Sequence, residues 1–298
     1  MVWIIGNKGM LGTQICRTLS ENKIEFVGTD SEVSILDFQA LENFASGKKI
    51  SFIVNCAAYT AVDKAESDVD FARKLNADGP RNIARLAKKI GVPFLHISTD
   101  YVFDGTSSSP ISEDTPIKPI GVYGETKAEG EKAVLEETDD FYILRTAWLY
   151  GWSGKNFVYT MIRAMNGHET VKVVCDQKGT PTNCVTLASV ILKIIANRFA
   201  GTKVPNGIYH VTDLGETTWF DFTNEIFAQA CECGIITNKS CKINPCTTEE
   251  YPTPAKRPAY SVLDKSKVQK TLGITLPDWK ESLGIFINST LFDKKRIE

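Results

Sequence analysis

Long apolar runs and an excess of charge of either sign are both missing from this sequence of 298 residues. Its apolar segments are far shorter than the roughly 20 residues that a membrane-spanning helix needs. The formal net charge at pH 7 is −2, so neither nucleic acid nor a membrane is a predicted partner. The apolar start, Val2–Ile5, has no basic region before it and ends at Gly6, so we expect no signal peptide.

Histidine is scarce, with three residues in the chain. His96, His168 and His210 are scattered, and none has a serine or a carboxylate at the spacing of a hydrolytic site. His96 alternates with apolar residues in a predicted strand. We therefore interpret His96 as a hydrogen-bonded core histidine rather than a catalyst.

The eight cysteines do not form a recognisable disulfide or zinc pattern. A chain of this length without export features typically keeps its thiols reduced, which predicts a cytoplasmic protein. Four of the cysteines fall within 16 residues, but Cys-x-Cys with Cys-x4-Cys is not a usual zinc spacing. We expect ordinary thiols without metal at these four positions: Cys231, Cys233, Cys241 and Cys246.

A glycine-rich turn near the start of the chain is the first candidate binding site. It lies between the apolar strand and an amphipathic helix, and its three glycines recur at every third position. Such glycines let the chain turn sharply and let a pyrophosphate approach the free N–H groups of the helix. A plain strand–turn–helix corner is the alternative. The predicted cofactor-binding residues here are Gly6, Gly9, Met10, Leu11 and Gly12.

The second and third predicted strands also end in residues that suit a dinucleotide. Asp30 lies 24 positions after Gly6, where a carboxylate can accept hydrogen bonds from the adenosine ribose. A turn or helix-capping aspartate is the alternative. No arginine flanks Asp30, so NADH is permitted, and the choice between NADH and NADPH stays open. The small residues Ala57 and Ala58, followed by Tyr59, leave room for a flat ligand, although they also suit tight packing.

A long helical pattern covers residues 68–90, and Pro80 interrupts it. A proline inside a helix costs on the order of 3 kcal/mol, so we expect a kink or break near Gly79. Asn76 lies just before this point. We expect its side chain to bond the backbone groups that the break frees.

Hydroxyl groups and one Tyr–Lys pair are the candidates for chemistry. Ser98 and Thr99 follow the fourth strand, and ligands of parallel sheets bind beyond the carboxyl ends of strands. Closing the strand is the alternative role of these hydroxyls. Tyr123 and Lys127 lie four positions apart in a segment rich in helix formers, so they share one helix face. An ammonium close to the phenol would lower its pKa from near 10, which makes Tyr123 a candidate proton donor.

The order of these elements predicts an α/β fold with a Rossmann-type doubly wound parallel sheet. Strands at 141–146 and 171–174 would complete the sheet. After about residue 180, helices alternate with shorter polar stretches, which indicates a smaller α/β substrate lobe. We therefore divide the chain into a dinucleotide-binding domain, residues 1–180, and a mainly substrate-binding lobe, residues 181–298, interleaved with it.

The glycine turn, Ser98-Thr99 and Tyr123-x-x-x-Lys127, in this order, resemble the extended short-chain dehydrogenase/reductases. Within that family, four longer stretches are similar to the dTDP-4-dehydrorhamnose reductases, and the similarity extends over nearly the whole chain. These stretches are residues 55–66, 98–103, 145–148 and 251–258.

The resemblance implies an oxidoreductase of nucleotide-sugar metabolism, in dTDP-rhamnose and polysaccharide biosynthesis. NADPH or NADH would reduce the C4 keto group of dTDP-4-dehydro-L-rhamnose. Tyr123 would protonate the alkoxide, Thr99 would hold the carbonyl oxygen, and Lys127 would stabilise the phenolate and bind the nicotinamide ribose. Positions that contact the substrate in the family match Ser98, Tyr101, Trp148 and Arg257.

Several alternatives stay open beside this interpretation. Arg257, without the resemblance, would be a surface arginine in a proline-rich loop. The enzyme could be a reductase or epimerase of another nucleotide-sugar. From a different functional class, the alternative is a non-catalytic regulatory subunit with the same fold.

The chain also departs from relatives of this family at two places. Sugar-nucleotide dehydratases carry Asp-Glu after the threonine, whereas Tyr101 follows Asp100 here, so the second carboxylate for elimination is missing. Some of the reductases dimerise through magnesium held by carboxylates on two helices. The matching residues here do not suit a hard cation: Gln14, Val185 and Ser189. We therefore expect no metal, and a monomer or a metal-independent homodimer.

Overall fold

Short, largely apolar runs form the strands of the central sheet in the computed structural model, which describes residues 1–297. The strands are β1 Val2–Ile5, β2 Phe26–Thr29, β3 Phe52–Asn55, β4 Phe94–Thr99, β5 Phe141–Thr146, β6 Leu149–Tyr150, β7 Thr170–Val174, β8 Lys178–Gly179, β9 Thr182–Asn183, β10 Gly207–His210, β11 Thr217–Thr218 and β12 Lys242–Cys246. The α-helices are α1 Met10–Glu21, α2 Phe38–Ala45, α3 Val62–Ala65, α4 Val69–Arg73, α5 Gly79–Ile90, α6 Val122–Glu137, α7 Phe157–Gly167, α8 Cys184–Phe199, α9 Trp219–Glu232, α10 Ser266–Leu272 and α11 Trp279–Asn288. A π-helix, Lys74–Asp78, and two 3₁₀ turns, Asp100–Val102 and Lys294–Arg296, complete the chain.

Six of the strands form one parallel sheet in the order β10-β5-β4-β3-β1-β2. The chain leaves β1 for the edge strand β2 and then returns to β3 on the other side of β1. This reversal opens a crevice at the carboxyl ends of β1 and β3, where nucleotides bind in sheets of this kind. The predicted doubly wound α/β fold is confirmed.

The sixth strand of the sheet is not the predicted one. The predicted strand at 171–174 forms as β7, but it pairs with β12 in a separate two-stranded sheet. The sixth position belongs to β10, which pairs with β5. Burial alternates along β7, with Val171 and Val173 inside and Thr170 and Lys172 outside. A strand covered on both faces does not alternate in this way, and this pattern distinguishes β7 from the central strands.

Apolar residues from the two faces of the sheet build two cores, and a third core lies in the second lobe. One face packs on α1 and α8, and the other packs on α2, α5 and α6. The third core is rich in aromatic side chains and joins α7 to α9 and α11. The division into residues 1–180 and 181–298 stays a prediction. In the structure, α8 and β10 pack with the sheet, whereas α7 packs in the aromatic core.

The α-helix is interrupted just before Gly79 and Pro80, near the predicted point, but by a π-helix and not by a break in the helical backbone. The π-helix precedes α5, and Pro80 lies in the first turn of α5, where its missing donor is not needed. The predicted role of Asn76 is wrong. Its side chain bonds both backbone groups of Tyr59 and the hydroxyl of Thr126, and so ties the π-helix to the loop after β3 and to α6.

A buried ion pair attaches α6 to the central sheet. Arg145 on β5 donates from Nη2 to Glu131 Oε2 at 2.6 Å and from Nε to Glu131 Oε1 at 2.9 Å. Both side chains are 1% exposed. Ser98, at the end of β4, donates to the same carboxylate. On another side, α6 packs closely against the π-helix because Gly130 has no side chain. A Cβ at this position would lie 2.0 Å from the carbonyl oxygen of Asn76.

Removing one partner of this pair leaves a buried charge without compensation. We expect Arg145→Met to lower the free energy of unfolding by about 3–5 kcal/mol. The control is the exposed pair of Arg81 and Glu136, which joins α5 to α6. We expect Glu136→Gln to cost roughly 0.2–1 kcal/mol. Urea unfolding of both variants measures the difference, and equal losses would show that the buried pair does not anchor α6.

Candidate active site

A cavity of about 940 Å³ lies at the carboxyl edge of the sheet, a size that suits a cofactor. It contains much of the predicted site. The predicted residues in its lining are Gly6, Gly9, Met10, Leu11, Asp30, Ala57, Ala58, Ser98, Tyr123 and Lys127. The other predicted site residues are not part of this lining: Gly12, Tyr59, Thr99, Tyr101, Trp148 and Arg257. Tyr59 is buried and its hydroxyl donates to Asp68.

The glycine turn at Gly6 fits a diphosphate. Gly6 has φ +79°, and a Cβ there would lie 2.7 Å from the backbone nitrogen of Ala57. At Gly12 a Cβ would lie 2.1 Å from the carbonyl oxygen of Gly6. Helix α1 begins at Met10 without a capping side chain and without an acidic residue in its first turn. Its first N–H groups and positive dipole end therefore face the cavity, which is the donor set that a phosphate requires.

Asp30 lines the cavity and also takes part in a turn. Its Oδ2 accepts from the backbone N–H of Lys8 at 3.2 Å, and its Oδ1 accepts from Ser31 at 2.8 Å. The side chain of Lys8 forms a 3.0 Å ion pair with Glu32. The turn role left open by the sequence is thus present. The contact with an adenosine ribose stays a prediction.

Tyr123 and Thr99 place two hydroxyls side by side. The Thr99 hydroxyl lies against the Tyr123 phenol and also donates to Asp100 Oδ1 at 2.9 Å. Burial, together with the smaller effect of the Asp100 carboxylate, raises the pKa of Tyr123 to about 12, although the Thr99 hydroxyl acts in the opposite direction. The predicted lowering of this pKa by Lys127 is therefore wrong for the protein alone. Burial dominates, and the Lys127 ammonium is engaged elsewhere.

Lys127 is 2% exposed, and its amino group faces β4. Nζ donates to the carbonyl oxygen of Ile97 at 2.6 Å and lies 3.3 Å from His96 Nε2. Burial lowers the pKa of Lys127 to about 8, while Glu131 and Cys56 act in the opposite direction. Lys127 therefore changes its charge close to neutral pH.

The carboxyl group next to Thr99 is buried as well. Burial raises the pKa of Asp100 to about 6, and hydrogen bonds, Thr99 among them, oppose the shift. Ser98, a candidate for binding the substrate carbonyl, already forms a hydrogen bond within the protein, which its sequence position did not indicate. Its proton is donated to Glu131, so its oxygen can still accept a hydrogen bond from a ligand.

The aromatic residues predicted to contact substrate are held by other aromatic rings. Tyr101 packs edge-on against Tyr123 with ring centroids 5.4 Å apart. Trp148 stacks on Trp219 of the second lobe at 3.5 Å, and its φ of +47° is unusual for a residue other than glycine. Strained backbone of this kind is typical of binding sites.

Arg257 is neither free nor a simple surface residue. Its Nη2 donates to Asp63 Oδ2 at 2.9 Å, and its Nη1 donates to Thr253 and to the carbonyl oxygen of Ala255. The guanidinium thus holds the proline-rich loop 251–258 against the segment after β3. Its predicted contact with substrate stays a prediction.

Sequence reasoning missed two parts of the cavity. An apolar wall comes from the loop after β2 and from helix α4 and the π-helix, where Phe71 is 47% exposed. The loop after β6 brings Gly154 and Lys155 to the start of α1, where a Cβ on Gly154 would lie 3.3 Å from Met10 Cβ. An exposed aromatic side chain on a helix was the one available signal. The apolar residues of the wall are Val33, Ile35, Leu36, Phe71 and Leu75.

The positions compared with the metal-bridged relatives lie on two packed helices. Gln14 is buried on α1, while Val185 and Ser189 lie on α8. Within residues 1–297, no group of three or more His, Cys, Asp or Glu side chains is arranged to hold a metal ion. The four clustered cysteines do not converge on one point: the Cys233 thiol, for example, contacts Asn288. Over the same residues, no helix is both long and apolar enough to cross a membrane.

The parallel sheet, the glycine turn and the Tyr123–Lys127 pair on α6 define an oxidoreductase of the extended short-chain dehydrogenase/reductase class. This is the class that the sequence predicted. The chain belongs to the RmlD substrate binding domain family, whose model matches residues 1–292. The family prediction is therefore confirmed.

Similar proteins cover nearly the whole chain. A dTDP-4-dehydrorhamnose reductase of Aggregatibacter actinomycetemcomitans is 39% identical over 282 residues, which is 94% of this chain and 96% of the relative. A solved dTDP-4-dehydrorhamnose reductase of Clostridium acetobutylicum is 44% identical with a TM-score of 0.89, over 96% and 98% of the two chains. The dTDP-4-dehydrorhamnose reductase of Bacillus anthracis, solved with NADP, is 35% identical with a TM-score of 0.88. The match covers 96% of this chain and 97% of the other.

The glycine turn gives a direct test of the cofactor site. We expect Gly12→Ala to weaken NADPH binding by roughly tenfold or more, about 1.4 kcal/mol, because its Cβ would meet the Gly6 carbonyl oxygen. Gly167→Ala is the control, since a Cβ there meets no atom within 4 Å. Fluorescence titration with NADPH measures both variants, with circular dichroism to check folding. Equal affinities would place the diphosphate elsewhere.

Proposed function

We propose that this protein reduces the C4 keto group of dTDP-4-dehydro-L-rhamnose with NADPH or NADH and forms dTDP-L-rhamnose. Membership of the family supports the reaction. One observation on this chain carries the proposal: the hydroxyls of Thr99 and Tyr123 lie together at the edge of a cavity that Lys127 also lines. A phenol beside a second hydroxyl at this cavity supports the roles of proton donor and carbonyl-binding group.

The chain's own residues supply binding, orientation and one proton. When bound, the reduced nicotinamide would supply the hydride, which is chemistry that the protein does not provide. Tyr123 gives its phenolic proton to the oxygen at C4 as negative charge develops there. Thr99 orients that oxygen by a hydrogen bond. Because the pKa of Tyr123 is raised, it is fully protonated at neutral pH and ready to donate.

The same geometry favours reduction over elimination. Asp100 is the one carboxylate next to Thr99, and it is buried and bonded to the Thr99 hydroxyl. Tyr101 occupies the position where a second carboxylate would have to stand, and its ring packs on Tyr123. A base for removing a proton from the sugar carbon is therefore missing from this strand end within the described chain.

The binding roles proposed for the remaining residues follow from their positions. The turn at Gly6 and the start of α1 would hold the diphosphate of the cofactor, and Asp30 would face its adenosine ribose. Tyr101 and Trp148 would pack on the sugar. Arg257 would meet the diphosphate of the nucleotide-sugar, since its fork suits two oxygen atoms and Asp63 already holds it in place.

The proposed working state is a monomer or a metal-independent homodimer. Gln14, Val185 and Ser189 support this, because their side chains suit a divalent cation poorly. Eight cysteines without a disulfide pattern suit a reducing compartment, so we place the reaction in the cytoplasm. The product would then be available as a sugar donor for polysaccharide synthesis.

Replacing the proton donor tests the reaction. We expect Tyr123→Phe to lower kcat by roughly 10²–10⁴-fold while NADPH binding is retained, because general acid catalysis is lost and the ring remains. Tyr159→Phe is the control, since Tyr159 is buried in the second lobe. The assay follows absorbance at 340 nm with NADPH and the 4-keto sugar. A Tyr123→Phe enzyme as fast as wild type would contradict the assignment.

A further inference from the structure

The amino group of Lys127 contacts a histidine of β4. His96 and Asn55 are both 0% exposed, and together with Lys127 they form a chain of buried polar side chains. Asn55 Nδ2 lies 3.1 Å from His96 Nδ1, and His96 Nε2 lies 3.3 Å from Lys127 Nζ. His96 is therefore the link between the end of β3 and the amino group in the cavity wall.

Asn55 determines which nitrogen of His96 carries the proton. Its Oδ1 accepts from the backbone N–H of Ala57 at 3.0 Å, so the amide nitrogen is the atom that faces His96. An amide NH₂ group only donates, so His96 Nδ1 must accept. A neutral imidazole has one N–H, which then lies on Nε2 and points at Lys127.

An N–H group directed at Lys127 favours the amine form of the lysine. An ammonium has three donors and no acceptor, whereas an amine has a lone pair that can accept from His96 Nε2. The amine can still donate to the carbonyl oxygen of Ile97, as the 2.6 Å distance requires. Burial and the charge of Lys127 hold the pKa of His96 well below its usual range, so the imidazole stays neutral.

The other titratable groups near Lys127 do not explain this preference. Glu131 on α6 favours the ammonium, but its charge is paired with Arg145. Burial raises the pKa of the Cys56 thiol at the end of β3, so that thiol stays neutral. Asp100, on the turn after β4, faces Tyr123. Burial is the main cause of the lowered pKa of Lys127, and the N–H of His96, 3.3 Å away, adds a neighbour that opposes the ammonium.

We propose that His96 is a positioning residue: held by Asn55, its Nε2–H stabilises the amine form of Lys127, so that Asn55 and His96 set the pH at which this lysine gives up its proton. The catalytic part of this inference rests on the proposed function.

The proton balance of the proposed step is simple. The O–H bond of Tyr123 breaks as an O–H bond forms at C4, which leaves a phenolate. An N–H bond of the Lys127 ammonium then breaks, and its proton is relayed through solvent to the phenolate and restores the phenol, since Nζ itself faces β4. The amine accepts the N–H of His96 until a proton from water regenerates the ammonium. No electrons beyond those of the hydride are involved.

Asn55→Asp reverses the hydrogen bond with little change of shape. An aspartate keeps an acceptor for Ala57 and places a second acceptor against His96 Nδ1. His96 should then carry its proton on Nδ1 and offer the lone pair of Nε2 to the Lys127 ammonium. Asn82→Asp is the control for a carboxylate added outside this chain of polar side chains, since Asn82 lies on α5 and bonds the carbonyl oxygen of Ile35. Because a charge at position 55 by itself favours the ammonium of Lys127, the tautomer of His96 is the deciding readout.

Two NMR measurements on the protein without substrate test the proposal. Long-range ¹H–¹⁵N spectra should show wild-type His96 as the Nε2–H tautomer with no titration between about pH 6 and 9, and Asn55→Asp as the Nδ1–H tautomer. The Lys127 ¹³Cε titration should have its midpoint near pH 8 in wild type, because burial lowers the pKa of Lys127 to about 8. It should rise by about one pH unit in Asn55→Asp and stay in place in Asn82→Asp.

Each result has a defined meaning. A wild-type His96 with its proton on Nδ1, or a Lys127 midpoint that does not follow the tautomer, would overturn the proposal. If Asn55→Asp fails to fold, the wild-type spectrum by itself still decides the tautomer of His96. If the protein does not reduce the 4-keto sugar, the proposed function fails, whereas both NMR readouts still report on His96. In an active enzyme, the alkaline limb of kcat should move upward in Asn55→Asp together with the Lys127 midpoint.

Discussion

The docking of α6 on the central sheet is the constraint on which the site depends. Tyr123 and Lys127 lie on this helix, whereas Thr99 and His96 lie on β4. The ion pair of Glu131 with Arg145 joins helix and sheet through two hydrogen bonds in a dry interior. Buried pairs of this kind add little net stability, but a displaced partner would be costly. The pair therefore holds one relative position of α6, and with it the distances within the site.

Burial then sets the charges of the groups that meet at this position. It raises the pKa values of Tyr123 and Asp100 and lowers that of Lys127, so each group is shifted toward its neutral form. A phenol that remains protonated suits a proton donor in a reduction. A lysine that titrates near pH 8 suits an exchange of protons more than a fixed counter-charge. The same enclosure that shapes the cavity thus determines its chemistry.

Some predictions failed where a residue's partner lies far away in the sequence. Asn76 was expected to serve its own helix, but it bonds Tyr59 and Thr126. The strand at 171–174 was expected in the main sheet, but its partner is β12. The pKa of Tyr123 was expected to fall because Lys127 is its neighbour on the helix. The lysine instead reaches β4, whose position no local pattern reveals.

By itself the sequence determined what depends on local spacing: the glycine turn before α1, the shared helix face of Tyr123 and Lys127, the alternation of strands and helices, and from these the family. Such features need only neighbouring residues, so their spacing is sufficient. The tertiary structure alone decided which buried groups meet, as with Lys127 and His96, Glu131 and Arg145, or Arg257 and Asp63. These contacts depend on how the elements pack, and packing also sets the burial that shifts each pKa.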